Sequence, residues 1–525
     1  MLKRLKSLFT LKNIILVTLL ILFVMFLRWN SIGTPFERDE GDYAYGAWMM
    51  RQGGLPYEDI FLQKPPMIVY TYYLGQLVDP IGIVSPRILA MIFSILTALF
   101  VGLITKKYFG KNAGWASVFI FSALIASPLN SSLAANTEVF MILPLMVFVY
   151  LYVYFNKSKN MPVWFIAGIM ASLTLLYKPI APYIIAFIVF VWLYELYKAK
   201  IDFKGLFLKL FLFVIGGLLT LALVSLPFIL RDGGKELWEQ AVVFNSLYIK
   251  HWGFGLDAIV HQMGRLFKNY WLLFILTVYF FAKKPKKWWL FAGFLFFTIL
   301  GVYQSSIYHY YNLVVPFWVI IVSGSLAFLT KEGVVKKYLS ENRMIWLTFI
   351  VLAFILYPVR AQFGLTPQKL SIYIYGIYNP FSESPIVSER LRDITEKDDC
   401  VYIAGSETQI LFYAKRKSCT HLVISYPFII KTPFREIYQN ESIEDLKASP
   451  PEAIVVSRRQ HSGFWEEGAP KNMLNYLEEL IKDDYYVVGG YVWVPKGGYW
   501  LEPLPEDEIV NSSLILYKRI DKSEE

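Results

Sequence analysis

The sequence predicts a polytopic α-helical membrane protein of about eleven transmembrane helices, followed by an extracytoplasmic α/β domain. Three observations predict it. Apolar runs of about 20 residues recur through the first 360 positions, the length a helix needs to cross a bilayer. The short loops between alternate runs are rich in lysine, as cytoplasmic loops are. Beyond residue 360 the hydrophobic density falls and charges appear singly, which marks a second domain at 361–525. The totals agree. The chain is 56% hydrophobic, 18% aromatic and only 18% charged, with a mean hydropathy of +0.44, more apolar than ordinary soluble domains. The net charge of +10 follows from the lysine-rich loops. No basic patch interleaved with aromatics occurs in a soluble context, so nucleic-acid binding is not expected. Five histidines and two cysteines form no sequence-spaced metal-ligand cluster.

Residues 1–13 carry Lys3, Arg4, Lys6 and Lys12 ahead of an apolar run at 14–27. Arg28-Trp29-Asn30 follow instead of a small-residue cleavage site, so an uncleaved first span at 13–29 is expected, with the N-terminus cytoplasmic. The loop 30–85 is then outside. Its Tyr43, Tyr45, Trp48, Tyr57, Tyr70, Tyr72 and Tyr73 favour the membrane interface, which predicts short helices lying on the bilayer. One of these is expected at 42–52, ended by Gly53-Gly54.

Further spans are expected at 86–105, 113–129, 139–155, 162–177, 180–196, 210–230, 269–282, 288–304, 312–329 and 344–360. Lys106, Lys107, Lys111, Lys157, Lys159, Lys198, Lys200, Lys204, Lys209, Lys283, Lys284, Lys286, Lys287, Lys331, Lys336, Lys337 and Arg343 all fall on the cytoplasmic side of this scheme. An amphipathic outer segment occupies 231–268, and Arg231-Asp232-Gly233-Gly234 reads as a turn. In the second domain, strands are expected at 400–405, 421–424 and 453–457, a helix at 407–415, and a β-meander over 485–488, 491–494 and 513–517. Cys400 and Cys419 each precede a predicted strand. A disulfide and a pair of free thiols are both compatible with the sequence.

Chemistry concentrates at the ends of the spans. Asp39 and Glu40 follow the first span; a carboxylate there suits a general base, or caps a helix starting near Asp42. Lys64-Pro65-Pro66 holds a lysine on a fixed chain direction, suited to a phosphate or simply snorkelling at the interface. Lys178-Pro179 repeats the arrangement on the same face. The positive-inside rule does not place lysines there, so the two sites point to an anionic ligand. Glu138 is a lone acid between the third and fourth spans. His309-Tyr310-Tyr311 either lines a cavity or belongs to an aromatic belt.

Together these pieces resemble the GT-C superfamily of polyprenyl-phosphate-sugar-dependent glycosyltransferases, and within it the family-39 branch of protein O-mannosyltransferases and aminoarabinose transferases. The resemblance runs over 10–330 and rests on Arg38-Asp39-Glu40-Gly41-Asp42-Tyr43, Gln63-Lys64-Pro65-Pro66, Ser85-Pro86-Arg87-Ile88, Asn136-Thr137-Glu138, Tyr177-Lys178-Pro179 and His309-Tyr310-Tyr311. No β-trefoil pattern like that of eukaryotic members is found, which points to the prokaryotic type.

The resemblance implies a GT-C fold with its site on the outer loop of a transmembrane domain at 1–360, in the plasma membrane. Asp39 would be the catalytic base, with Glu40 supporting it or orienting the acceptor, and Lys64 and Lys178 would hold the lipid phosphate. Glu138, Arg87, Tyr43, His309 and Tyr310 complete the expected substrate site. Glu138 stands where the family often has Asp. The implied partners are the bilayer, a polyprenyl-phosphate-linked sugar, and a lipid, glycan or protein acceptor. Family members differ over a divalent cation, and no residue here demands one. The alternative is a transporter or flippase of lipid-linked saccharide. Such a protein should show internal repeats and broken spans with mid-bilayer charges, and the sequence shows no repeat.

Overall fold

In a computed structural model, the structure describes residues 11–155, 160–199, 202–251, 256–303, 307–332, 335, 342–459, 462, 464, 471–494 and 497–521. Lys3, Arg4, Lys6, Lys157, Lys159, Lys200, Lys336 and Lys337 lie outside the described residues.

Each expected apolar run coincides with a helix. They are α1 (Leu11–Arg28), α4 (Ser85–Phe109), α5 (Lys111–Leu124), α6 (Thr137–Phe155), α7 (Pro162–Tyr177), α8 (Pro182–Lys198), α9 (Phe203–Ile229), α10 (Leu256–Ala282), α11 (Trp288–Val302), α12 (Val315–Leu329) and α13 (Arg343–Leu356). Apolar backbone must satisfy its own hydrogen bonds in lipid, and the helix does so within one segment. Leu11–Ser31, Ser85–Phe109, Thr137–Phe155 and Phe203–Ile229 are long and apolar enough to cross a membrane. The remaining helices are shorter or less apolar. The chain is a multi-pass membrane protein.

The helices divide by what they touch. α12 is buried almost throughout, whereas α9 leaves Phe207, Phe211, Leu218 and Leu223 exposed as a lipid-facing stripe. α9 meets α7 through glycine: a Cβ at Gly168 would lie 1.9 Å from the Phe213 carbonyl oxygen, and one at Gly216 would lie 2.2 Å from that of Phe165. Only glycine permits this approach, the usual device for packing helices in lipid. At one end of the bundle the lysine-rich loops pair with acids, Lys287 with Glu195 and Lys283 with Glu332, each at 2.6 Å.

The loop 30–85 contributes two helices, α2 (Arg38–Arg51) and α3 (Met67–Val78). α2 starts four residues before the expected 42–52. Glu37 is its N-cap and forms a capping box with Glu40, so the acid run itself nucleates the helix and Asp42 lies inside it. Pro66 caps α3, so the Pro-Pro step sets its direction. α12 starts at Val315, three residues after the expected 312, because Tyr308–Leu313 tighten into a 3-10 turn.

The second domain begins with α14 (Pro367–Tyr375) and α15 (Ser384–Asp393) and holds a six-stranded sheet of order β2-β1-β3-β6-β4-β5. β1 (Cys400–Ala404) runs parallel to β2 (Lys417–Ser418) and to β3 (Ala453–Ser457). β4 (Tyr485–Val494), β5 (Gly497–Leu501) and β6 (Ser512–Arg519) add an antiparallel half. Helices α16 (Thr408–Ala414), α17 (Arg435–Ala448) and α18 (Lys471–Asp484) connect them. Cys400 and Cys419 form a disulfide.

The expected strand at 421–424 is absent; β2 is the short pair at 417–418 instead. Leu422, Val423 and Ile424 are buried all the same. The His421 carbonyl accepts from Phe61 N–H of the loop 30–85 at 2.7 Å, so this segment belongs to the docking face. The two expected strands at 485–488 and 491–494 are one strand, with a register shift between Val487 and Gly489.

Candidate active site

The site forms where α2 meets the ends of α6 and α7 and the 308–313 turn. α2 projects Asp39 and Glu40 from adjacent positions, about 100° apart on a helix, so they face different surroundings. Glu40 is fully buried. Its carboxylate takes a two-pronged ion pair from Arg87 on α4, with Nε to Oε1 at 2.6 Å and Nη2 to Oε2 at 2.5 Å. It also accepts from Ala135 N–H at 2.7 Å and Glu37 N–H at 3.3 Å. Arg87 donates as well to the carbonyls of Ser31 and Thr34. This knot ties the start of α2, the end of α1, the start of α4 and the 130–136 turn together.

Asp39 keeps a quarter of its side chain exposed. His309 Nε2 lies 3.9 Å from Asp39 Oδ2 and 3.8 Å from Glu138 Oε1, and so bridges the two acids. Glu138, at the start of α6, is fully buried and pairs with Lys178. Lys178 Nζ also sits 3.2 Å from the centre of the Tyr310 ring. Lys178 is the extended residue that ends α7, and its buried ammonium is therefore matched by both an acid and a ring. His309 is held by the 3-10 turn, which Ser132 Oγ pins by donating to Asn312 Oδ1 at 2.9 Å. His309 Nε2 is buried without a hydrogen-bond partner.

Lys64 is positioned by its own backbone: its carbonyl accepts from Tyr57 Oη at 2.7 Å, and Asn245 donates to the neighbouring Gln63 carbonyl. Its ammonium donates to Gln63 Oε1 at 3.2 Å. Among the described residues no carboxylate lies within 4 Å of it. Tyr43 is buried with its hydroxyl unpartnered, and its ring meets Tyr72 edge-on at 5.6 Å.

The charges set the protonation states. Burial pushes the Asp39 carboxyl up, but Lys64, His309, Lys178 and Arg38 outweigh it and hold the group below its ordinary 3.8. Burial pushes His309 down, with Lys178 and Lys64 adding to this and Glu138 and Asp39 opposing it. Asp42, one turn along from Asp39, is pushed up to about 7 by burial and by Asp39. One helix thus carries a carboxylate that stays ionised and another that titrates near neutrality. No group of three or more metal-ligating side chains occurs among the described residues.

The structure therefore brings Asp39, Glu138, Lys178, His309 and Tyr310 to one cluster, with Lys64 close enough to act on Asp39. It sets Glu40 and Arg87 apart in a saturated pair beneath it. Sequence reading missed the contribution of the second domain. Arg38 donates to Glu407 Oε1 at 3.0 Å and to the Ser406 carbonyl at 3.1 Å. Arg38 and Glu407 are 369 positions apart, so no local pattern in the sequence signalled the pair.

Comparison with known proteins covers part of this cluster. Positions 63–228 match the family described as dolichyl-phosphate-mannose-protein mannosyltransferase, a stretch that contains Lys64, Arg87, Glu138 and Lys178. No curated protein matches the chain by sequence. Among solved structures the fold is similar to ArnT from Cupriavidus metallidurans bound to undecaprenyl phosphate, with TM-score 0.56, 12% identity, and 97% of this chain covering 98% of that one. Its apo form gives TM-score 0.52 at 12% identity, over 96% and 97% of the two chains. The oligosaccharyltransferase of Archaeoglobus fulgidus, tethered to an acceptor peptide, gives TM-score 0.52 at 13% identity, over 96% of this chain and 76% of that one. Positions 63–228 thus resemble that family, and over nearly its whole length the chain shares the fold of ArnT and of the archaeal oligosaccharyltransferase.

Proposed function

We propose that the chain transfers a sugar from a polyprenyl-phosphate carrier to an acceptor hydroxyl or amine at the outer face of the plasma membrane, with inversion. The observation that carries this reading is Asp39: a partly exposed carboxylate held ionised between two lysines and a histidine at the rim of an apolar bundle. Asp39 takes the proton of the acceptor O–H or N–H as its heteroatom attacks the anomeric carbon from the side opposite the carrier. A new bond forms at that carbon, and its bond to the phosphate oxygen breaks. The electron pair leaves with the polyprenyl phosphate, whose growing charge Lys64 and Lys178 stabilise. The leaving group is already anionic, so no strong general acid is needed. Glu40 and Arg87, saturated by each other, hold the frame; Glu138 and His309 orient Lys178 and Asp39. The undecaprenyl phosphate in the similar ArnT structure supports a polyprenyl carrier.

Transfer by Asp39→Asn, in membranes supplied with the lipid-linked sugar extract of the source cells, is the test. The variant should fold, bind undecaprenyl phosphate and lose about 10²-fold or more of its transfer rate. Normal product formation would remove Asp39 from the mechanism. A reporter fused behind the second domain should read out as extracytoplasmic; a cytoplasmic signal would reverse the topology.

A further inference from the structure

The second domain has a crevice where open α/β sheets bind their ligands. The chain leaves β1 through α16 to β2 on one side, then returns through α17 to β3 on the other. The order of the strands reverses between β1 and β3, and ligands of such sheets bind at the carboxyl ends there. In this protein those ends carry Gly405-Ser406-Glu407 after β1 and Ser457 closing β3. The crevice is narrow, since a Cβ at Gly405 would lie 2.9 Å from that of Ser457.

The crevice is lined with hydroxyls arranged around one acid. Ser462 Oγ donates to Glu407 Oε1 at 2.5 Å and Ser457 Oγ sits 2.5 Å from Ser462 Oγ. Ser406 Oγ lies 2.5 Å from Ser425 Oγ, and Ser406 N–H donates to Glu407 Oε2 at 3.0 Å. Glu407 is fully buried and would be costly to ionise alone. Its partner comes from the other domain: Arg38, 9% exposed, reaches in from the first turn of α2 to Glu407 and to the Ser406 carbonyl. Three residues along, a Cβ at Gly41 would lie 2.6 Å from Gln409 N, so α2 and α16 touch backbone to backbone. Further along, Tyr45 Oη accepts from Ser418 N–H at 2.9 Å.

We propose that the switch-point crevice of the second domain is a receptor for Arg38, and that by gripping this side chain it positions the adjacent Asp39 for proton transfer. Arg38 and Glu407 are positioning residues; neither touches the reacting atoms. The inference rests on the reading of Asp39 as the base. A purely structural pair would need only to hold the domains together. A positioning pair also changes how Asp39 titrates, because Arg38 is one of the charges that hold Asp39 down.

The test uses the full chain in nanodiscs, with three readouts: size-exclusion profile, undecaprenyl phosphate binding by native mass spectrometry, and transfer from the source-cell lipid extract across pH. Glu407→Gln keeps the shape and removes the charge. It should bind undecaprenyl phosphate within about twofold of the parent and lose about tenfold or more in transfer, in line with misplacement of a catalytic group. The double variant Arg38→Gln with Glu407→Gln leaves no buried charge unpaired and should fold even if the single one does not. Loss of the Arg38 charge raises the Asp39 pKa, so the acid limb of its transfer should move to higher pH, by less than about one unit. Full transfer by Glu407→Gln, or an unmoved acid limb in the double variant, would overturn the proposal. Asp39→Asn separates the two readings: if it transfers normally, the mechanism itself has failed; if it is dead while Glu407→Gln is fully active, only the positioning role has.

Discussion

Asp39 and Glu40 are neighbours on one helix, and the two sides of that helix differ in kind. On the Glu40 side the carboxylate is matched by a two-pronged arginine and two backbone N–H groups. On the Asp39 side the charges are close without being saturated, with His309 at 3.9 Å and Lys64 lacking any acid within 4 Å among the described residues. A matched buried ion pair contributes geometry and does no chemistry, since neither partner can change protonation cheaply. An unsaturated cluster is held by the fold around it and is ready for a ligand that completes it. The same contrast explains why the knot lies beneath the cluster: the saturated side fixes the backbone that the unsaturated side depends on.

The sharpest way to break this comparison is to neutralise each acid in turn. Asp39→Asn should lower transfer by about 10²–10⁴-fold, the usual worth of a positioned general base, with little change in unfolding. The parent should also keep its activity down to unusually low pH. Asp39 has its folded pKa depressed below 3.8, so the ionised base is lost only as pH falls through that lower value. A kcat/KM profile with its acid limb above the ordinary carboxylate range would contradict the assignment of the base. Glu40→Gln should do the reverse. It strands the buried Arg87 charge and should cost about 3–5 kcal/mol of stability, read by thermal or denaturant unfolding in detergent. If Glu40→Gln unfolds like the parent yet cannot transfer, the two acids have the opposite roles.

A smaller effect is expected at the disulfide. Cys400 and Cys419 are 19 positions apart, and a loop of this size is worth about 3 kcal/mol in the chain-entropy account. The bond joins β1 to the segment just after β2, whose His421 carbonyl meets the loop 30–85. Replacing both cysteines by serine should therefore loosen the second domain while leaving undecaprenyl phosphate binding by the lysines unchanged. Loss of that binding would mean that the disulfide supports the phosphate side of the site.

Much of this was readable from the sequence, for definite reasons. The apolar runs became helices because lipid leaves the backbone no other partner. Asp39, Lys64, Glu138, Lys178 and His309 were found by one criterion, charge at the end of a span, and the fold gathers them at one end of the bundle. The criterion could not rank Glu40 below Asp39, because both satisfy it; only the turn of the helix and the reach of Arg87 separate them. The strand expected at 421–424 failed for a related reason. Leu422, Val423 and Ile424 are buried without belonging to a strand, and such burial leaves the same apolar pattern in the sequence as burial in a sheet. Arg38 and Glu407 carried no local signal, since each makes sense only with the other.

The two lysines give the finest version of the comparison. Lys178 is already matched by Glu138 and the Tyr310 ring, whereas the Lys64 ammonium has an amide oxygen and no acid. An incoming phosphate gains more from Lys64, because that charge is not yet spent. Lys64→Gln should therefore raise the KM for the lipid-linked sugar and weaken undecaprenyl phosphate binding by about tenfold, the loss of one charge-assisted hydrogen bond. Its effect on folding should be slight, since the change leaves no acid stranded within 4 Å. Lys178→Gln should combine a similar loss with destabilisation, because Glu138 stays behind, buried and unpaired. Binding isotherms and unfolding curves for the two variants separate these outcomes. Equal destabilisation by both would show that Lys64 is held by an acid after all, and the phosphate would then have to be met by some other charge.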